Sequence, residues 1–248
     1  MEPSNTESEL TEDYLRIVER RVELARLMDQ ARQKKSILVY GPEGVGKTRL
    51  LHEFIRTQPL SLYVSQARSP HDLLLSLVNS LRRILGARNL PSDTSKISTS
   101  SLKGVVNKAL DVKPFLVVLD HVEGPSRIVT KFVKELNYYG RTPIFMGARS
   151  PHMEDIGALQ PLCADRSERL EVTNWPPAVA LEFARHEAER AGLWASNLDA
   201  ALESIVQSSA GNPGSILQMV KMAHQSQYWR DDQLKFHVLY LDYRMGRR

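Results

Sequence analysis

The segment Gly41-Pro42-Glu43-Gly44-Val45-Gly46-Lys47-Thr48 has the spacing of a loop that holds phosphate: a glycine, four residues, then Gly-Lys-Thr. Glycines permit a compact turn whose backbone N–H groups face phosphate oxygens, and a helix starting at the lysine turns its positive end to the same anion. In that arrangement Lys47 reaches the β- and γ-phosphates, the Thr48 hydroxyl ligates magnesium, and Arg49 follows in the first turn of the helix. The bland alternative is a glycine-rich turn before a helix. A second signal is the apolar run Phe115-Leu116-Val117-Val118-Leu119 ending in Asp120, which would place a carboxylate beside the magnesium at the carboxyl edge of a sheet. A buried strand with a chance terminal acid reads the same way. His121 follows directly, and Glu123 two residues later is either a base or a solvated loop carboxylate.

The elements that must position these residues follow from periodicity. Apolar residues at helical spacing from about Glu12 to Arg32 predict an amphipathic helix, and Ile37–Tyr40 reads as a short buried strand, followed by a helix over Lys47–Thr57. Further strands are expected at Leu62–Gln66, Phe115–Leu119, Pro143–Gly147 and Arg169–Val172. The intervening helices fall at Pro70–Leu85, Leu102–Leu110 and Ser126–Tyr138, with a polar connection over Asn89–Ser101. Helices alternating with short, continuously apolar strands predict an α/β fold with a parallel sheet covered on both faces. After Trp175-Pro176-Pro177 the strands stop, and Ala178–His224 shows helical periodicity broken at Gly192–Asn197 and Gly211–Gly214.

Composition narrows the class. The 248 residues are 42% hydrophobic and 25% charged, with 13 Gly and 13 Pro, an ordinary globular balance that excludes disordered and fibrous classes. No apolar run approaches the roughly 20 residues that a membrane span needs, and the acidic start is unlike a signal peptide, so a cytoplasmic protein is expected. The single cysteine, Cys163, cannot form an internal disulfide and is expected as a small buried hydrophobe. A net charge of +4 is compatible with an acidic partner without requiring one.

Taken together, the loop, the strand ending in Asp120 and the alternating elements resemble the P-loop NTPases of the additional-strand group, the AAA+ proteins and their signalling relatives, the STAND ATPases. The resemblance spans about Val18 to Ala223. It implies a P-loop parallel sheet sandwiched by helices and followed by a small helical lid, with ATP and Mg2+ as ligands. Arg20-Arg21-Val22-Glu23-Leu24 is similar to the stretch that lies by the adenine in those families, which brings in Val18 as a nucleotide contact. Ile144–Ser150 looks like the strand whose end senses the γ-phosphate, through Arg149 or Ser150. Arg166, with Arg169 as competitor, lies where AAA+ assemblies supply an arginine to a neighbouring subunit. Ala210-Gly211-Asn212-Pro213-Gly214 resembles the Gly-x-Pro of the lid, with Pro213 against the nucleotide and Gly214 where AAA+ members often carry arginine. His121 stands where many relatives have glutamate, which implies slow hydrolysis.

The expected organisation is a flexible acidic N-terminus at 1–13, an ATPase core at 14–175, a lid at 176–225 and an extension at 226–248. By resemblance, Lys47, Asp120, Glu123, Arg149 and Arg166 form the catalytic set. Gly41, Pro42, Glu43, Gly44, Val45, Gly46, Lys47, Thr48, Arg49, Val18 and Pro213 hold nucleotide, and Thr48 and Asp120 hold the metal. The implied activity is that of a nucleotide-controlled switch or assembly factor that forms homo-oligomers. It is similar to transposon-encoded helper ATPases and origin-recognition-like ATPases that act with DNA or a transposase. A STAND-like regulator of a protein partner is the alternative. No length for a winged helix follows the lid, so DNA contacts would come from surface Lys and Arg, including Arg244, Arg247 and Arg248.

Overall fold

The computed structural model describes residues 20–86, 97–138 and 141–246. They form two compact units, one made of 20–41 with the described residues of 47–172, the other of 42–46 with the described residues from 173 onward. Val18, Arg247 and Arg248 lie outside the described residues, as does most of the Asn89–Ser101 connection.

In the first unit, α1 (Arg21–Arg32) precedes β1 (Ile37–Tyr40), α2 (Lys47–Thr57), β2 (Ser61–Val64), α3 (Pro70–Leu85) and α4 (Thr99–Val112). Then come β3 (Leu116–Val122), α5 (Arg127–Leu136), β4 (Ile144–Ala148), the single turn α6 (Met153–Ile156) and β5 (Arg169–Glu171). The strands make one five-stranded sheet in the order β2-β3-β4-β1-β5, and every pair is parallel. Ile37, Leu38, Val39, Val117, Val118, Phe145 and Met146 are completely buried, which explains why these strands read as continuous apolar runs rather than alternating ones. α3 packs Leu73, Leu74, Leu77 and Leu81 into the core. Its start is set by Ser69, whose side chain accepts the Asp72 N–H at 3.1 Å, and its end by Gly86 at φ 80°. Cys163 is buried in the same core.

Two of the boundaries that differ from the sequence reading have a clear local cause or bear on the site. α4 starts at Thr99, three residues early, because the Ser98 hydroxyl accepts the Ser101 N–H and caps the helix within the polar stretch. β3 runs on past Leu119 to Val122. Leu119 pairs with Met146 and Val122 with Ala148, so one extra residue is inserted at Asp120-His121, where His121 has φ 50°. Such a bulge re-aims side chains, and here it sits on the acid singled out by sequence.

The second unit contains α7 (Pro177–Arg190), α8 (Leu198–Ser209) and α9 (Pro213–Met222), then a two-stranded hairpin of β6 (Trp229–Arg230) and β7 (Gln233–Leu234), and α10 (Phe236–Met245). Tyr228, Leu234, Leu239 and Tyr243 share one buried cluster with Ala180, Leu202, Ile205, Ile216 and Met219. The segment expected as an extension thus completes the helical core, and Arg244 lies on α10, with Nη1 3.5 Å from the Tyr240 hydroxyl. No helix among the described residues is long and apolar enough to cross a membrane.

Candidate functional site

The glycine-rich loop leaves β1 at its carboxyl end, where open parallel sheets place ligands. Tyr40 pairs with Ala148 and Ala148 with Val122, so the exits of β1 and β4 and the bulge of β3 lie along one sheet edge. The Gly41 N–H donates to the Arg149 carbonyl at 3.2 Å, tying the loop's first residue to the end of β4. Lys47 opens α2 and donates from Nζ to the Gly41 carbonyl at 2.8 Å, so the ammonium curls back over its own loop. Thr48 and Arg49 follow, half-buried, and the Thr48 hydroxyl makes no hydrogen bond among the described residues. Gly41, Gly44 and Gly46 all have positive φ, the backbone freedom for which the motif needs glycine.

Asp120 is only 3% exposed. Its Oδ1 accepts the His121 N–H at 2.9 Å and its Oδ2 accepts the Tyr63 hydroxyl at 3.1 Å. The His121 ring turns back so that Nδ1 lies 3.3 Å from the same Oδ2. Burial, then the charge of Asp120 and the bond to it, push the Tyr63 phenol well above its ordinary range, so Tyr63 stays a donor. A Cβ on Gly147 would stand 2.8 Å from Asp120 Oδ1 and 3.0 Å from Leu51 Cδ1. Leu51 lies one turn after Lys47, so the face of α2 that begins at the lysine packs at the acid. Sequence reasoning missed both Tyr63 and Gly147.

The other sequence-selected residues are distributed around this edge. Glu123 is exposed, and its carboxylate has no partner among the described residues. It lines, with Asp120, His121, Gln66 and Arg68, a cavity of about 270 Å³. Arg149 is exposed, while the Ser150 hydroxyl accepts the His152 N–H at 3.1 Å. Arg20 is buried and pairs with Glu23 at 2.8 Å inside the stretch singled out for adenine. Arg166 and Arg169 are cleanly distinguished. Arg169 donates to the carbonyls of Cys163 (2.8 Å) and Ala164 (3.3 Å), whereas the Arg166 side chain is exposed and makes no hydrogen bond or ion pair among the described residues. Arg26 donates to the Arg166 and Ser167 carbonyls at 3.2 and 3.1 Å, anchoring the turn that carries Arg166.

Within the second unit, residues 42–46 pack on the start of α9. Asn212 donates from Nδ2 to the Glu43 carbonyl at 2.9 Å, and the Gly214 N–H donates to the Gly44 carbonyl at 2.9 Å. A Cβ on Gly214 would stand 2.8 Å from Gly44 Cα, which gives a steric reason why no arginine occupies this position. Pro213 is buried in the first turn of α9.

The donor set suits magnesium held together with nucleotide. Magnesium takes one or two protein oxygens and completes its shell with phosphate and water. Thr48 and Asp120 offer that number, and no cluster of three or more His, Cys, Asp or Glu able to hold a metal is present among the described residues.

Solved structures of P-loop ATPases share this fold. A Walker-type ATPase of Pyrococcus abyssi matches with a TM-score of 0.63 at 15% identity, over 92% of this chain and 71% of that one. The Aeropyrum pernix ORC1 protein in complex with DNA matches with 0.61 at 14%, over 92% and 65%. The Thermotoga maritima RuvB Holliday junction branch migration motor gives 0.56 at 15%, over 91% and 67%. The chain thus spans about two thirds of the length of these structures. No curated protein matches its sequence. The profile of the AAA ATPase domain matches residues 16–221, and the chain belongs to that family of nucleotide-binding and nucleotide-hydrolysing proteins.

Proposed function

We propose that the chain is a magnesium-dependent ATPase of AAA+ type that works as a nucleotide-controlled switch in an oligomeric assembly. The observation that carries this reading is Asp120: a carboxylate almost wholly withdrawn from water, fixed by Tyr63 and His121, on the sheet edge where β1 gives way to Gly41. Burying such a group is costly unless a cation or hydrogen bonds compensate, and its place at the carboxyl edge supports magnesium as that cation. Gly41–Thr48 would hold the phosphates, Lys47 would neutralise charge on the β- and γ-oxygens, and Thr48 with Asp120 would hold the metal. Arg149 would approach the γ-phosphate, and Arg166 would serve a neighbouring subunit. Bound magnesium supplies charge stabilisation of the transferring phosphoryl group. The test is calorimetric titration with Mg-ATP of the wild type and of Lys47→Ala, with hydrolysis measured on the same preparations. Lys47→Ala should stay folded and lose nucleotide binding; unchanged affinity would overturn the assignment of the loop.

For the output of the switch we propose a DNA-associated assembly of the transposition-helper kind. The likeness in fold to ORC1 in complex with DNA and to a branch migration motor supports it. A second reading, a STAND-like switch that contacts a protein and hydrolyses slowly, is favoured by one observation. The residue after Asp120 is a histidine whose ring faces Asp120 itself, so the position usual for a water-polarising carboxylate does not provide one.

A further inference from the structure

We propose that Asn212 is a positioning residue for the phosphate loop, aiming the Gly44 N–H at the phosphates by holding the carbonyl of the same peptide from behind. The inference rests on the reading of residues 41–48 as a phosphate loop and adds to it a residue 169 positions away in sequence. Asn212 is 7% exposed, and all four hydrogen-bonding positions of its carboxamide are used. Oδ1 accepts the Ser215 N–H at 3.0 Å and the Ser215 hydroxyl at 3.2 Å. Nδ2 donates to the Glu43 carbonyl at 2.9 Å and to Asn174 Oδ1 at 3.1 Å. One side of the amide therefore caps α9 and the other side grips the loop.

The consequence for the loop follows from peptide geometry. C=O of Glu43 and N–H of Gly44 belong to one planar trans peptide and point in opposite directions. Fixing that carbonyl on Asn212 turns the Gly44 N–H away from α9. The next peptide is held the same way, because the Gly44 carbonyl accepts the Gly214 N–H at 2.9 Å, and its Val45 N–H makes a long 3.4 Å bond to the Pro42 carbonyl. A phosphate oxygen can replace a bond that weak. The two donors from the start of α9 thus hold two successive loop carbonyls, and the opposed N–H groups form the concave donor set that an anion requires. The fit is close: a Cβ on Gly44 would lie 2.6 Å from Asn212 Oδ1. Asn212 donates to the loop while capping its own helix.

Asn212→Asp separates the two tasks. Aspartate caps a helix as well as asparagine does, but it places a carboxylate oxygen where the Glu43 carbonyl needs a donor. A lost hydrogen bond to the Glu43 carbonyl predicts a rise of about ten-fold in Kd and KM for Mg-ATP. Turnover at saturating Mg-ATP should stay within about two-fold of wild type, because uniform binding is lost rather than an interaction confined to the transition state. The thermal midpoint of the nucleotide-free chain reports whether the fold is kept, and a role confined to capping α9, which aspartate preserves, predicts wild-type Kd, KM and turnover together. Calorimetry with Mg-ATP, steady-state hydrolysis and thermal melts of the nucleotide-free chain give all three quantities. A folded Asn212→Asp protein with wild-type ATP affinity would overturn the inference. If Asn212→Asp does not fold, Asn212→Ser, which keeps a cap without the donor, and Gly214→Ala, which keeps Asn212 but presses on Gly44, decide instead; wild-type affinity in both overturns it. A wild-type chain that binds no Mg-ATP while Lys47→Ala behaves identically would remove the phosphate-loop reading and the inference with it. Wild-type binding with unaltered variants removes the inference alone.

Discussion

Gly147 on β4 and Asp120 at the bulge of β3 are packed so closely that a Cβ on Gly147 would stand 2.8 Å from Asp120 Oδ1. The opposite wall is Leu51 Cδ1 at 3.0 Å, in a helix buried against the sheet, so neither neighbour can retreat freely. Gly147→Ala should therefore keep its fold, since Gly147 has no positive φ to lose, and displace the carboxylate. A displacement near 1 Å at a group that acts on the reacting phosphate costs about 10²-fold in rate. Hydrolysis should fall by that order, with Mg-ATP affinity close to wild type, and Asp120→Asn should show the same pattern. Measuring turnover and calorimetric affinity on one preparation checks both; full activity in Gly147→Ala would show that Asp120 does not need its present position.

Tyr63→Phe removes one hydrogen bond from Asp120 without changing volume. The expected result is a fall of several-fold in turnover with little change in ATP affinity, the size set by losing a bond to a charged acceptor of roughly one to two orders of magnitude at most. Its pH signature has a definite sign. The phenol is held protonated above its ordinary 10.0 in the folded chain, so its contribution to stability is full below pH 10 and is lost as pH rises beyond that value. Thermal melts from pH 8 to 11 should show a shallower alkaline loss in Tyr63→Phe than in the wild type. Superimposable curves would mean that the Tyr63 bond to Asp120 carries no weight.

The parts of this site that sequence made legible are those written in consecutive residues. Gly41–Thr48 and Phe115–Asp120 carry their chemistry in local spelling; Gly41 follows the carboxyl end of β1, and Asp120 lies near the carboxyl end of β3. The partners of Asp120 were not legible, because Tyr63 reads as one more residue of a β-strand and Gly147 as a small residue in an apolar run. Both acquire meaning only through the strand order, which sets β3 between β2 and β4. The bulge at His121 was hidden for a different reason: a histidine at φ 50° is an uncommon choice that no local pattern announces. Asn212 could be recognised in a turn motif, but its hold on Glu43 is a long-range contact that periodicity does not encode.

Arg166 and Arg169 should behave differently when removed. Arg169 spans the carbonyls of Cys163 and Ala164, so Arg169→Ala should lower the melting temperature. Arg166 is exposed on a turn that Arg26 anchors, and a guanidinium supplied to a neighbour's γ-phosphate accounts for about 10³-fold or more in rate. Arg166→Ala should melt like the wild type, bind ATP normally and hydrolyse poorly. Mixing it with Lys47→Ala should restore part of the activity, because Lys47→Ala subunits donate Arg166 to sites that still bind ATP. Activity per molecule that is independent of concentration, in a chain that stays monomeric at saturating ATP, would exclude action in trans.

The final prediction separates the two outputs of the switch. An assembly guided by DNA has to neutralise backbone phosphates, so the logarithm of its affinity should fall with the logarithm of salt at a slope of about −0.9 per phosphate contacted on duplex DNA. A net charge of +4 and a pI near 9.2 permit such contacts but give no large basic excess, so the slope should be modest. Sequence preference should be slight, since the described elements of the second unit, three helices, a two-stranded hairpin and α10, leave no separate base-reading module. Affinity should rise with a non-hydrolysable ATP analogue and fall with ADP, because an oligomer formed in the ATP state presents several weak contacts at once and gains from their effective concentration. A switch that acts through a protein contact gives neither the slope nor the nucleotide dependence. Fluorescence anisotropy with labelled duplexes of unrelated sequence, across a salt series and in each nucleotide state, measures both. Binding that is absent at low salt in every nucleotide state would exclude DNA as the partner and leave the protein-contact switch as the account that fits His121.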